Sequence, residues 1–156
     1  MNEVEVRDLA LHLDARGWLV ELCKEQPIDY VYATCCFPGA VKGWHRHVAH
    51  TDRLTCVAGA ARVVAIQERY TARQWHKALL SGSAPANGRW GEFFEAVIGP
   101  LSPKLVVIPP GWWHGFAAVG GGPCVVVNCP DLPYDPSDEE RLPLEAIPFP
   151  WREVSG

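Results

Sequence analysis

Hydrophobic positions along this chain fall in short runs rich in β-branched and aromatic residues, with Gly or Pro in nearly every gap. The runs span residues 18–22, 28–37, 53–57, 61–66, 90–98, 104–108, 113–119 and 124–128. Strands bounded by turn residues at such spacing predict an all-β sandwich or barrel. Helical periodicity is weak everywhere except "TARQWHKALL", residues 71–80, where a short helix is expected before the loop "SGSAPANG". From Pro130 the chain becomes Pro-rich and acidic. That spacing of prolines predicts an extended wrap over the barrel, with one helical turn near Ser137. No internal repeat or composition break divides the chain, so residues 1–156 are expected to form one domain.

Composition narrows the class. A chain that is 48% hydrophobic and 21% charged reads as an ordinary globular protein. A net charge of -4 and a pI near 5.8 give no footprint for nucleic acid. The N-terminal residues lack a basic stretch followed by an apolar run, and no segment reaches the length of a membrane span. Six cysteines, none in a CxxC pair, fit reduced thiols in strands better than a disulfide framework or a zinc knuckle. A cytoplasmic protein without a membrane partner is expected.

Candidate chemistry concentrates in "VKGWHRHVAHTD", residues 41–52. On a strand, side chains alternate, so His45 and His47 share one face and Arg46 takes the other. The pattern His45-x-His47, then Asp52, then Gly59 resembles the first motif of the cupin superfamily, with Asp where Glu is usual. "PPGWWHGF" echoes the second through Pro109, Gly111 and His114. In metal-binding cupins these positions carry the ligands, so the resemblance implies His45, His47, Asp52 and His114 for one divalent transition metal.

A longer resemblance covers residues 13–151. "LDARGWLVEL", "VKGWHRH", "DRLTCVAGAARVVAIQER", "IPPGWWHGF" and "YDPSDE" follow, in order, motifs of the dTDP-4-dehydrorhamnose 3,5-epimerase family. The resemblance implies a cupin-type jelly roll with an extended Pro-rich C-terminal tail. It also implies a homodimer and an enzyme that needs no cofactor, acting on a dTDP-linked 4-keto-6-deoxyhexose in deoxysugar or polysaccharide biosynthesis. The reaction removes a proton from carbon next to the ketone, which calls for a base, a cation for the enolate and an acid on the other face.

Carried over by position, His45 is the base, Arg53 the enolate cation and Glu145 the carboxylate that orients the base, while His47 replaces a Gln. Arg16 and Glu21 fall on nucleotide contacts made partly across a dimer interface. Lys42 falls on a diphosphate or sugar contact, Tyr134 on the aromatic against thymine, and His114 on the sugar pocket. Trp44 flanks the first motif as a wall of the cavity or a stacking surface for the base, though large aromatics are more often core. The family's acidic Tyr is missing, since Val127 or Asn128 takes its place. That leaves an epimerase with Tyr30, Tyr32 or water as substitute acid, a one-face ketoisomerase, or a non-catalytic nucleotide-sugar binding protein. His50 fits no motif and is read as incidental.

Overall fold

The computed structural model describes residues 3–24, 27–84 and 88–151, and twelve strands lie among the described residues. In chain order they are β1 (Glu5–Asp8), β2 (Leu11–Asp14), β3 (Gly17–Val20), β4 (Tyr32–Cys36), β5 (Val41–His47) and β6 (Asp52–Ala58). There follow β7 (Ala61–Glu68), β8 (Trp90–Ile98), β9 (Lys104–Ile108), β10 (Trp113–Ala118), β11 (Cys124–Asn128) and β12 (Glu139–Arg141). A first antiparallel sheet has the order β1-β9-β6-β11-β4, a second the order β12-β5-β10-β7-β8, and β2 with β3 forms a separate hairpin. Two such sheets face to face make the expected jelly roll. Every apolar run expected to be a strand contains one, although the run at 28–37 begins pairing only at Tyr32.

The helix α1 (Ala72–Leu80) begins where the sequence indicates, because Thr71 and Gln74 form a reciprocal capping box. It buries none of its residues and lies outside the core.

Between the sheets, Leu54, Val63, Ile98, Val106, Phe116 and Val126 form the main core. A second cluster covers the outer face of the second sheet, where Trp44, Val64, Ile66 and Trp113 meet Ile147, Phe149 and Trp151 of the tail. The tail thus acts as a third layer, bonded to the sheet by the Leu142 N–H donating to the Trp44 carbonyl. No helix forms at Ser137; its N–H and hydroxyl donate to the Asp135 side chain in a turn. The helical turn lies later, a 3-10 turn at Leu144–Ala146.

Candidate active site

The pairing of β5 with β10 sets the geometry. His45 stands opposite His114, but Lys42 stands opposite Phe116, so one extra residue of β5 is accommodated between them. This bulge turns Lys42 to the same face as His45, where strict alternation would place it on the other. Two glycines permit the approach: a Cβ on Gly43 would lie 2.9 Å from Gly115 Cα, and one on Gly115 would lie 2.7 Å from the Lys42 carbonyl oxygen.

The face so formed opens onto a cavity of about 360 Å³, lined among others by Tyr32, Lys42, His45, Asp52, His114 and Arg141. His45 and His114 rings meet edge to face with centroids 4.1 Å apart. His114 Nδ1 donates to the Trp112 carbonyl at 3.0 Å, which fixes the ring, and its Nε2 lies 2.8 Å from Asp52 Oδ2. Asp52, only 2% exposed, is the hub. Its Oδ1 accepts from the Asn128 side-chain amide and lies 3.2 Å from His50 Nε2, while His47 Nε2 lies 3.5 Å from its Oδ2.

Behind this hub stands a second carboxylate. Asp138 accepts from the backbone N–H groups of Val48 and Ala49 and reaches His50 Nδ1 at 2.8 Å. His50 stacks on His47 with centroids 3.7 Å apart.

These surroundings split the histidines electrostatically. Burial, then the adjoining His114, holds His45 well below its ordinary value, and burial also lowers His47. Burial opposes charge on His50 too, but the Asp52 and Asp138 carboxylates outweigh it and the ring is raised. For Asp52 burial works against ionisation, yet the adjoining His114 and His50 rings hold it well below the usual carboxylate range. A neutral imidazole at His45 therefore sits beside an ionised carboxylate held by other imidazoles. Such a ring can accept a proton.

Of the residues singled out from sequence, His45, Lys42, His114 and Asp52 come together at the cavity, with His47 just behind. Several others do not. Arg53 points out of the opposite face of β6, its Nη1 donating to the Pro27 carbonyl at 2.7 Å; Asp52 and Leu54 are the inward residues of that strand. Arg53 therefore does not face the cavity, and the side-chain cations that line it are Lys42 and Arg141. Glu145 is exposed on the 3-10 turn of the tail, so the carboxylate at the histidines is Asp52.

Trp44 is 1% exposed in the outer cluster, its Nε1 donating to the Leu144 carbonyl, and is a packing residue rather than a substrate contact. Arg16 pairs with Asp14 on the β2–β3 hairpin and Glu21 with Lys24, and in the single chain neither lines the cavity. Tyr134, 66% exposed, lies on the tail side of Asp138, near enough to Tyr30 to help raise that phenol, whose burial is the larger cause. His50, set aside on sequence grounds, is buried at the centre of the network. Its spacing from His47 suits a turn, a signal readable only once β5 is known to end at His47.

The donors also sit close enough for a metal. Ligand atoms of His45, His47, Asp52 and His114 all lie within 4.8 Å of one another, as do those of His47, His50 and Asp138.

No protein-family model matches the chain. A probable low-salt glycan biosynthesis epimerase of Haloferax volcanii is 33% identical over 154 residues, covering 93% of this chain and 89% of the relative. The spore coat polysaccharide biosynthesis protein SpsL of Bacillus subtilis is 28% identical over 160 residues, covering 97% and 96%. Among solved structures, a dTDP sugar isomerase of Desulfovibrio desulfuricans superposes with a TM-score of 0.78 at 24% identity over 97% of this chain and 92% of that one. The dTDP-4-dehydrorhamnose 3,5-epimerase of Sulfolobus tokodaii does so with a TM-score of 0.73 at 19% identity, covering 96% and 82%. With the cupin-like barrel and the inward histidines of β5 and β10 already in place, the 33% identity shows that the chain belongs to the family of the Haloferax glycan biosynthesis epimerase, and the superpositions show that it shares the fold of the dTDP-4-dehydrorhamnose 3,5-epimerases.

Proposed function

We propose that this protein is a sugar-nucleotide epimerase or isomerase acting on a dTDP-4-keto-6-deoxyhexose in deoxysugar or polysaccharide biosynthesis. The observation that carries this reading is His45, a partly buried imidazole kept neutral by its surroundings, facing a cavity with Lys42 and Arg141 at its rim. His45 removes the proton from carbon next to the ketone, and the electron pair moves onto the ketone oxygen. Lys42 and Arg141 supply positive charge for the diphosphate and for the developing enolate. Similarity to a probable glycan biosynthesis epimerase and to a spore coat polysaccharide biosynthesis protein supports the biosynthetic setting.

The chain acts as a homodimer in the cytoplasm. Leu13, Trp18 and Leu19 of the β2–β3 hairpin are exposed, which supports burial of that hairpin against a second copy; Arg16 and Glu21 would then reach the partner's site. No disulfide joins any of the six cysteines, in keeping with a reducing compartment. Incubation with dTDP-4-keto-6-deoxyglucose in heavy water should introduce deuterium next to the ketone, and His45→Asn should lower the rate ~10²–10⁴-fold. Absence of exchange with any 4-keto sugar nucleotide overturns the assignment. Equal exchange in His45→Asn would reduce it to a bystander.

A metal reading has one observation in its favour, the convergence of four donors at His45, His47, Asp52 and His114. Those residues fit a divalent transition metal in type, which would supply Lewis-acid polarisation of a carbonyl. Against it, the oxygens of Asp52 already meet Asn128, His50 and His114. The metal-free reaction is therefore preferred. Elemental analysis decides: about one transition metal per chain, removable by chelation with loss of exchange, selects the metal.

A further inference from the structure

The cavity has two walls, and only one carries the imidazoles. His45 and His114 come from the second sheet, whereas Asp52, Asn128 and Tyr32 come from β6, β11 and β4 of the first. Tyr32 stands directly opposite Asn128 in the β4–β11 ladder. Both belong to the face of the first sheet that looks into the cavity.

Hydrogen-bond polarity fixes the direction of the Tyr32 proton. The Asn128 side-chain oxygen accepts from the Arg53 backbone N–H at 2.8 Å, which can only donate. Its amide nitrogen therefore faces Asp52, an ionised carboxylate that can only accept, and this sets the amide orientation without ambiguity. The same nitrogen lies 2.9 Å from the Tyr32 hydroxyl, so the phenol oxygen accepts that bond. An accepting hydroxyl keeps its own proton free. No acceptor for that proton is found among the described residues, and the cavity is the space beside it.

Resting on the epimerase or isomerase reading above, we infer that Tyr32 is the proton donor on the face of the sugar opposite His45. The protein is then a two-face epimerase, in which one strand's tyrosine does the work that the position at Val127 or Asn128 of the neighbouring strand cannot. His45 takes the proton from one face of the carbon next to the ketone, leaving the enolate. Tyr32 O–H adds its proton to the same carbon from the other face as the enolate electrons re-form the ketone. The imidazolium then releases a proton to water and the phenolate regains one, so the cycle closes without any co-reactant. Burial and the Asp52 carboxylate push the phenol up to about 12, which keeps it protonated between turnovers. Asn128, itself 1% exposed, touches the phenol and not the substrate, and is a positioning residue.

Tyr32→Phe, assayed with dTDP-4-keto-6-deoxyglucose in heavy water, separates the two steps. The expected result is deuterium exchange of the substrate hydrogen near the wild-type rate, with formation of the inverted sugar reduced ~10²-fold or more. Retained exchange is itself the control for an intact fold and an intact His45. Inversion at the wild-type rate overturns the inference, and so does loss of exchange in a variant whose circular dichroism is unchanged.

Should the variant not fold, the wild type still decides. A two-face mechanism places solvent deuterium in the inverted product while unreacted substrate starts unlabelled. Deuterium in a shifted ketone of unchanged configuration would instead mean one-face isomerisation and end the role for Tyr32. Absence of exchange in the wild type is a different failure, that of the sugar-epimerase reading itself.

Discussion

His50 Nδ1 lies 2.8 Å from Asp138 Oδ2, a buried ion pair that ties the loop after β5 to the start of the tail. Asp138 also accepts two backbone N–H bonds from Val48 and Ala49, so its carboxylate organises the turn that delivers the chain to Asp52. Removing one member leaves the other charge buried without its partner. Asp138→Ala should cost ~3–5 kcal/mol of stability, measured by denaturant unfolding. The double variant with His50→Ala should lose less than the sum of the two single losses, because they share the interaction.

The histidines make stability depend on pH in two opposed ways. His50 has a folded value raised above 6.5, so its contribution is complete below 6.5 and lost as pH rises through that folded value. His45 and His47 have folded values lowered below 6.5. As pH falls below 6.5 the unfolded chain binds those protons first, and stability is lost toward the lowered folded values. Thermal midpoints should therefore peak near pH 6.5. His50→Asn should flatten the alkaline limb and His45→Asn the acid limb; unchanged limbs in both would refute the assignment of charge.

Much of this was open to reading from the chain, because strand patterns and turn residues report local preference directly. The adjacency of His45 and His114 followed from two motifs whose strands happen to pair. What failed depended on register. Arg53 and Asp52 differ by one position, and in a strand one position exchanges the cavity for the outer face. Glu145 failed for another reason, since a Pro-rich tail has no periodicity from which its path could be inferred, and it runs along the outer face of the second sheet. His50 was missed because its value comes from Asp138, which is 88 residues away in sequence.

That one-residue register can be tested by a matched pair. Asp52→Asn removes the carboxylate that His114 and His50 share, and exchange activity should fall ~10²-fold or more. Arg53→Met removes a charged hydrogen bond to the Pro27 carbonyl at the far face, and should cost ~1.5–3 kcal/mol of stability while leaving kcat and KM near wild type. The reverse pattern, with activity lost at Arg53 and kept at Asp52, would restore the enolate role to the arginine.

The bulge that carries Lys42 inward makes its own prediction. Gly43 and Gly115 face each other so closely that a methyl on either would press into backbone, at 2.9 Å from Gly115 Cα or 2.7 Å from the Lys42 carbonyl oxygen. Backbone cannot step aside as a flexible side chain can, so Gly43→Ala or Gly115→Ala should cost ~1–3 kcal/mol. Gly121→Ala is the control, since nothing lies within 4 Å of its added methyl, and should stay within about 0.5 kcal/mol of wild type. Because β5 must move away from β10 to admit the methyl, Lys42 and His45 shift with it. Either alanine at the bulge should therefore also raise KM for the sugar nucleotide. A loss of stability with KM unchanged would mean that the bulge does not place the cavity lysine.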